Sequence, residues 1–432
     1  MISSVGIKQK LFRIAEIVHL RIFGHEMGEE MRNFLNHLSW SFFGGIIAAW
    51  LMFVVTILAG RLLGPEEYGK YNAVLSFATI LSILYLFGMD ISSVRYLSDK
   101  KFSNSEKKIF TTTFFVVLFM QCIVTILLLI WHRFFLMGIP VPENLFIFGI
   151  LFAIVISLKT LVNGFLRAFH EYKKQSIYRI LDAGFVLSSF IAIVLIYQRQ
   201  VASSYILSFM FGGVFFISFS FLVLRQYFSK FDFSILKKIF YEYNRHLLIM
   251  SFIGVVLVSD KLVIGKLLGF EVLGYYGAYY ASSHLFVSEI GGIFMNVFWP
   301  SVIKNEESML EIVRKLTKLF IFYSPIWVIF ISFSTFILFL FFGSAYSIRY
   351  DYIILFSMSA FFGYMFSIFV SFLNINHIRK SIFMVGIFTS CSLLSLLVSK
   401  NIGVYVFVQI LLQIVLIYHI RATLLKYEYE KI

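Results

Sequence analysis

Charge is scarce in this chain. Asp, Glu, Lys and Arg make up 14% of 432 residues, whereas a soluble domain carries roughly 25%. Acid is the scarcer sign, with 23 Asp and Glu against 37 Lys and Arg. That shortage excludes a fully solvated globular surface. Cysteine is nearly absent: Cys122 and Cys391 both fall in apolar runs, so neither a disulfide framework nor a Cys/His metal spacing is available. A glycine-rich phosphate loop with its lysine is missing too, and no stretch fits a soluble ATPase domain, which excludes a nucleotide-driven pump. The first 35 residues are charged and lack the short apolar core of a cleavable signal peptide.

What is present is apolar sequence. Residues of the set AVILMFWYC make up 60% of the chain, and mean hydropathy is +0.88. Twelve apolar runs near the length of a bilayer-crossing helix follow one another, at 37–60, 69–90, 109–131, 144–168, 175–197, 201–224, 246–268, 273–299, 316–342, 351–374, 379–398 and 402–424. Membrane β-strands would be about ten residues of alternating character. The expectation is an all-α polytopic membrane protein of about 12 transmembrane helices. Residues 1–35 carry Ile7, Leu11, Ile14, Val18 and Ile22 at helical spacing among Lys8, Lys10, Arg13 and Arg21. They read as a basic amphipathic segment on the membrane surface.

One stretch occurs twice. GRLLGPEEYGKYNAVLSFATIL at 60–81 aligns without a gap on GKLLGFEVLGYYGAYYASSHLF at 265–286, a shift of 205 positions. Gly60, Gly64, Gly69 and Tyr71 meet Gly265, Gly269, Gly274 and Tyr276. Each copy lies between two spans, so each reads as a tight connector. A glycine caps one helix, and a second glycine lets the next helix start close by. The repeat divides the chain into a six-helix lobe at 36–224, a basic linker at 225–245 and a second lobe at 246–432. Alternate loops hold 27 of the 37 basic residues on one side and 7 on the other. The positive-inside rule then puts both termini in the cytoplasm, in a multi-pass protein of the cell membrane. Because each half has an even number of spans, the repeat is parallel, with its pseudo-two-fold axis along the membrane normal. The net charge of +14 is thereby explained by topology, and no nucleic-acid partner is expected.

Three basic residues remain, Lys159, Arg179 and Lys261, all inside spans. An ionisable residue in a span is costly and marks a functional position by default. Lys159, Asn163 and Arg167 lie at i, i+4 and i+8, one polar stripe expected to line a cavity and meet an anionic group; the alternative is an interhelical salt bridge. Arg179 and Asp182 stand at i, i+3, close enough to pair, although snorkelling also accounts for Arg179. Asp182 needs a partner, Arg179 or Lys159. Asp260 and Lys261 have no charged counterpart in the first half, where the shift lands on Val55 and Thr56. Lys261 is a candidate for an anionic headgroup. Asp182, Asp260 and Glu289 are candidates for coupling to H+ or Na+, with structural pairing as the alternative. No metal site, catalytic constellation or other cofactor is expected.

The paired pattern, GRLLGPEEYGKYNAVLSFATIL with RYLSDKK after its helix and DKLVIGKLLGFEVLGYYGAYY with FWPSVIK beyond it, resembles the polysaccharide transporter branch of the multidrug/oligosaccharidyl-lipid/polysaccharide exporter superfamily, the O-antigen-type flippases. The resemblance covers essentially all twelve spans. It implies two six-helix lobes forming a V around a central cavity. It also implies a flippase that moves an undecaprenyl-diphosphate-linked oligosaccharide from the cytoplasmic to the outer leaflet. The partners implied are that polyprenyl-diphosphate-linked glycan, the lipid bilayer, and a polysaccharide polymerase with its assembly proteins. The related lipid II flippases usually have fourteen spans and an Arg-Asp pair in the first helix, neither of which is found here. Three alternatives stand beside it. A cation-coupled small-molecule exporter of the same superfamily is one, and a non-transporting component of a polysaccharide complex is another. A membrane glycosyltransferase or ligase would need a long outer loop, and every outer loop expected here is short.

Overall fold

The structure, a computed structural model, describes residues 29–98, 105–196, 198–239, 255, 258–285, 287–288 and 306–431. Most of the amphipathic segment expected at 1–35, residues 240–245 of the expected linker, much of the spans 246–268 and 273–299, and Glu289 lie outside these residues. Among the described residues there are helices and no strands. That is the outcome required of a chain whose backbone must satisfy its own hydrogen bonds in hydrocarbon.

The first helical run, Glu29–Leu86, is broken at Gly64 into α1 (29–63) and α2 (65–86). There follow α3 (Met89–Ser98), α4 (Glu106–Ile130), α5 (His132–Gly138), α6 (Glu143–Ala168) and α7 (Tyr172–Ile191), which continues through a π turn at Ala192–Ile196. Next come α8 (Ala202–Leu224) and the short α9 (Phe233–Ile239). The second half shows α10 (Asp260–Leu268), α11 (Phe270–Tyr280) with a π turn at Ala281–Leu285, α12 (Glu306–Leu340), α13 (Tyr350–Asn376), α14 (Ile378–Ser399) and α15 (Ile402–Lys431). Nine stretches among the described residues are long and apolar enough to cross a membrane, and the first of them, Phe43–Leu86, contains the Gly64 break and so counts twice. With α10 and α11 they make the twelve-helix, two-lobe arrangement. Large apolar side chains point outward, as a lipid-facing surface demands: Phe119 is 64% and Phe322 78% exposed.

The buried core shows how the lobes join. One hydrophobic cluster draws on both halves, with Tyr68, Tyr71 and Phe77 from the first and Ile264, Tyr279, Phe342 and Tyr346 from the second. All of these lie towards the end of the molecule that carries the repeated motif. Towards the other end, which carries most of the basic residues, the halves have separate clusters, one around Phe110, Phe165 and Phe216, the other around Phe369, Phe388 and Ile420. Among the described residues the lobes are joined at the motif end and share no core cluster at the basic end, the form of a V.

The repeated motif is the joint. Gly64 has φ 75° and ψ 171°, and Gly269 has φ 91° and ψ 170°, a region open essentially to glycine alone. This single residue turns the chain, and Pro65 already occupies the first helical position, where its missing N–H costs nothing. The second glycine therefore does not space the connector, as its sequence position suggests. Gly69 lies inside α2, where an added Cβ would fall 1.7 Å from the carbonyl oxygen of Phe270. Gly274 lies inside α11, where an added Cβ would fall 1.9 Å from the carbonyl oxygen of Pro65. The contacts are reciprocal across the 205-residue shift: each half presses its glycine on the other half's first helical turn.

The rest of the motif repeats this reciprocity. Gly60 receives the Phe342 ring from the α12–α13 loop, 2.4 Å from its absent Cβ, and its carbonyl accepts the Tyr346 hydroxyl at 3.1 Å. Gly265 receives Pro140 from the α5–α6 connection at 3.6 Å. Arg61 lies against Gly343, and Lys266 donates to the carbonyl of Gly138 at 2.9 Å, capping the end of α5. Glu67 holds Lys70 at 2.7 Å and accepts the Ala202 N–H at 2.8 Å, satisfying one orphan donor at the start of α8.

Gly69→Ala and Gly274→Ala should each lower thermal stability in detergent, by about 2 kcal/mol as overpacking of backbone against backbone. Gly184→Ala in α7, where nothing lies within 4 Å of the added Cβ, should be neutral or slightly stabilising. Equal effects at all three positions would show that the crossing is not a tight contact.

Candidate functional site

Above the joint, the V encloses a cavity of about 860 Å³. Its walls come from α1, α2, α6, α7 and α8 of the first half and from α10, α11 and α12 of the second, and its lining includes Trp50, Thr56, Asn72, Lys159, Tyr205 and Lys261. The closed end lies at the motif, where Tyr68 meets Phe342 across the joint with ring centroids 6.0 Å apart.

Of the polar stripe on α6, Lys159 and Asn163 line the cavity. The Lys159 ammonium forms an ion pair with Asp182 on α7 and lies 5.8 Å from the centroid of the Phe216 ring. Lys159 thus lines the cavity and is also paired across helices. The Lys159 side chain is 31% exposed and that of Asp182 only 7%. One carboxylate oxygen makes the pair, while the other, Oδ1, is buried with no hydrogen-bond partner and faces the backbone of Gly212. Asn163 accepts from Gln175 at 2.7 Å, which orients its amide.

Arg167 departs from the expectation. It is exposed at the end of α6 and is not among the cavity-lining residues. At i+8 the stripe has run out of the cavity and reached the helix end, where Arg167 stands near Asp90 in α3. The two side chains are close enough to interact electrostatically.

Arg179 lines the cavity, half-buried. The i, i+3 pairing expected with Asp182 is not formed, because Asp182 turns to Lys159 instead. Among the described residues no carboxylate lies within salt-bridge distance of Arg179. Lys261 lines the cavity from the second half, with its ammonium 4.8 Å from the centroid of Tyr280, a cation–π contact. Its neighbour Asp260 turns away into the core of the second half. The Asp260 carboxylate accepts the Tyr276 hydroxyl at 2.7 Å, the Tyr405 hydroxyl at 3.4 Å and the Lys261 N–H at 2.7 Å. It is not among the cavity-lining residues. Glu289 lies outside the described residues.

The described lining thus carries three cations and one carboxylate, in a space closed at one end. Sequence reasoning missed the aromatic and hydroxyl residues near that end: Tyr71 and Tyr205, with ring centroids 4.2 Å apart, and Thr56, whose hydroxyl stands 3.2 Å from that of Tyr205. One signal was available, since Tyr71 aligns with Tyr276 inside the repeat.

The family described as "Polysaccharide biosynthesis protein" matches residues 34–306, more than half of the chain. No curated protein sequence matches. Among solved structures, the chain is similar to the inward-facing conformation of a multidrug resistance MATE family transporter of the MOP superfamily, with a TM-score of 0.64 and 14% identity, covering 89% of this chain and 99% of that one. It is similar to the MATE multidrug transporter DinF-BH in complex with R6G, with a TM-score of 0.59 and 13% identity, covering 89% and 95%. It is also similar to an outward-facing conformation of a multidrug resistance MATE family transporter, with a TM-score of 0.50 and 12% identity, covering 91% and 96%. At these identities the likeness is one of fold.

The Lys159–Asp182 pair makes a measurable prediction. Asp182→Asn leaves a lysine in an apolar wall and should cost about 2 kcal/mol, less than a fully buried pair because Lys159 keeps some water. Adding Lys159→Met should recover part of that loss, with a coupling of about 1 kcal/mol in a thermal-stability double-mutant cycle. Strict additivity would show that the two side chains do not interact.

Proposed function

We propose, since the chain belongs to the polysaccharide biosynthesis protein family, that it carries a polyprenyl-diphosphate-linked oligosaccharide across the bilayer by alternating access. The observation that carries this reading is Arg179, a half-buried cation with no carboxylate partner among the described residues, facing the same cavity as Lys159 and Lys261. A cation held in a membrane span without a counter-charge is costly. An anionic ligand removes that cost, and a diphosphate supplies two or more charges to a guanidinium that can grip it bidentately.

The distribution of basic loops puts the open end of the V on the cytoplasmic side and the motif end outside, in a cell membrane. The better likeness to the inward-facing than to the outward-facing relative supports the same state. The diphosphate enters from the cytoplasm and takes Arg179 and Lys159, oriented by Asn163. The apolar tail stays in lipid. Rocking of the halves then opens the motif end and closes the basic end. Asp182 supplies the link to an ion: when an anion claims the Lys159 ammonium, its carboxylate loses its partner and can take up a proton or cation. Asp260 is already served by two tyrosine hydroxyls, and coupling through it would require breaking that set.

A small-molecule exporter is the second reading, favoured by the multidrug transporters among the structural relatives. The excess of cations over carboxylates among the described lining residues opposes a cationic drug.

Arg179→Ala and Lys159→Ala should each slow flipping of the lipid-linked oligosaccharide in reconstituted vesicles by at least about tenfold, the loss of one charge-assisted contact, at normal protein levels. Unchanged flipping in both would remove the cavity assignment. Closure at the joint can be tested separately. At position 277 an added Cβ lies 2.9 Å from the Asn72 Cγ, so Asn72→Cys with Gly277→Cys, in a chain whose Cys122 and Cys391 are replaced by Ala, places two thiols within reach. Oxidation should stop transport and reduction restore it. Full transport by the oxidised protein would show that the joint does not open.

A further inference from the structure

We infer that the part of the cavity between Lys159 and the closed end is a separate subsite that binds the sugar of the carried lipid, through hydroxyls and aromatic faces. This rests on the function proposed above and names the part of the substrate that the closed end receives.

The cavity changes character along its length. Lys159 lies 16 residues into α6 from the motif end, roughly 24 Å at the helical rise. Thr56 and Tyr71 stand eight and seven residues from Gly64, roughly 11 Å by the same measure. Between those levels the lining contributed by the first half turns from charged to neutral and aromatic. Phe209 is half-buried, lines the cavity and stacks on the buried Tyr71, with centroids 6.0 Å apart and planes at 21°. Thr56 donates to the Met52 carbonyl at 2.8 Å and pairs with the Tyr205 hydroxyl at 3.2 Å. The Asn72 amide nitrogen donates to the Tyr68 carbonyl at 2.8 Å, which leaves its oxygen as an acceptor. Lys261, eight residues from Gly269, faces this zone from the second half.

An apolar wall set with a few oriented polar groups is the usual form of a small-molecule site, and rings with polar edges suit a ligand that is apolar on its faces and hydroxylated around its rim. A sugar ring fits that description and a polyprenyl tail does not, and Lys261 adds a donor to sugar hydroxyls from the second half's side. The order also follows the connectivity of such a lipid, in which the diphosphate joins tail to sugar. With the diphosphate at Arg179 and Lys159 and the tail in the bilayer, the sugar points at the closed end. There Tyr68 leans on Phe342 across the joint, so parting the halves takes this wall apart and frees the sugar on that side.

The test uses the full chain in vesicles with two probes, a polyprenyl diphosphate without sugar and the same lipid carrying a disaccharide. Thr56→Val with Tyr205→Phe removes both members of one hydrogen-bonded pair and keeps their shape, a change close to neutral for folding, checked by thermal stability. The subsite predicts that the ratio of the sugar-lipid rate to the sugar-free rate falls at least about tenfold, as expected for one or two lost hydrogen bonds. Lys159→Ala should instead lower both rates. An unchanged ratio in the double variant overturns the subsite. If the wild type moves neither lipid, the proposed function fails, and calorimetry with the free disaccharide decides the subsite: binding that is lost in the double variant supports it, and absence of binding to the wild type overturns it.

Discussion

Backbone touching backbone at the crossing of α2 and α11 is the contact on which the rest of the molecule depends. Two helices can approach this closely only where one of them presents no side chain, and membrane helices gain little from water exclusion between themselves. Van der Waals contact over a close approach is the available substitute. The two glycines supply it twice, each facing the other half's first turn. Because the contact lies at one end, the lobes diverge from it, and the volume between them becomes the cavity. Moving Gly69 or Gly274 along its helix would change the angle of the V and the distance across which Lys159 and Lys261 face one another.

The cavity wall keeps its charge at a cost that the fold limits in several ways. Lys159 has Asp182, and its stem runs beside Phe216. Lys261 has the face of Tyr280. Among the described residues Arg179 has neither a salt-bridged carboxylate nor an aromatic face, which makes it the residue whose electrostatic cost most depends on what occupies the cavity. Asp182 shows the complementary feature, a carboxylate with one oxygen engaged and one without a hydrogen-bond partner. Asp260 contrasts with it, since its carboxylate is served by the Tyr276 and Tyr405 hydroxyls and by the Lys261 N–H.

Much of this was legible in the sequence, for reasons that differ residue by residue. The helices followed from runs of apolar residues, because a bilayer leaves the backbone no other choice. Lys159 and Asp182 could be singled out because each is expensive where it stands. Asp260 could be singled out too, but not the direction in which it faces, which is set by hydroxyls on α11 and α15, 16 and 145 residues away. Arg167 failed because a helical stripe says which face a residue shares and not where the cavity ends. The two motif glycines were visible from the start. Their role was not, because the partner of each is the other copy of the same motif, and a comparison of the copies shows what they share without showing that they touch.

Position 72 and its counterpart 277 carry one further consequence. They occupy equivalent places on either side of the pseudo-two-fold axis, and a Cβ at Gly277 would fall 2.5 Å from the Asn72 side-chain nitrogen. A symmetric pair of identical chains would have to place the same residue at both points. Two asparagines would collide, and two glycines would leave a void with no amide. Joining the halves in one polypeptide lets one side be large and the other vacant, so covalent linkage here licenses a chemistry on the axis that a homodimer of the same shape is sterically forbidden to hold.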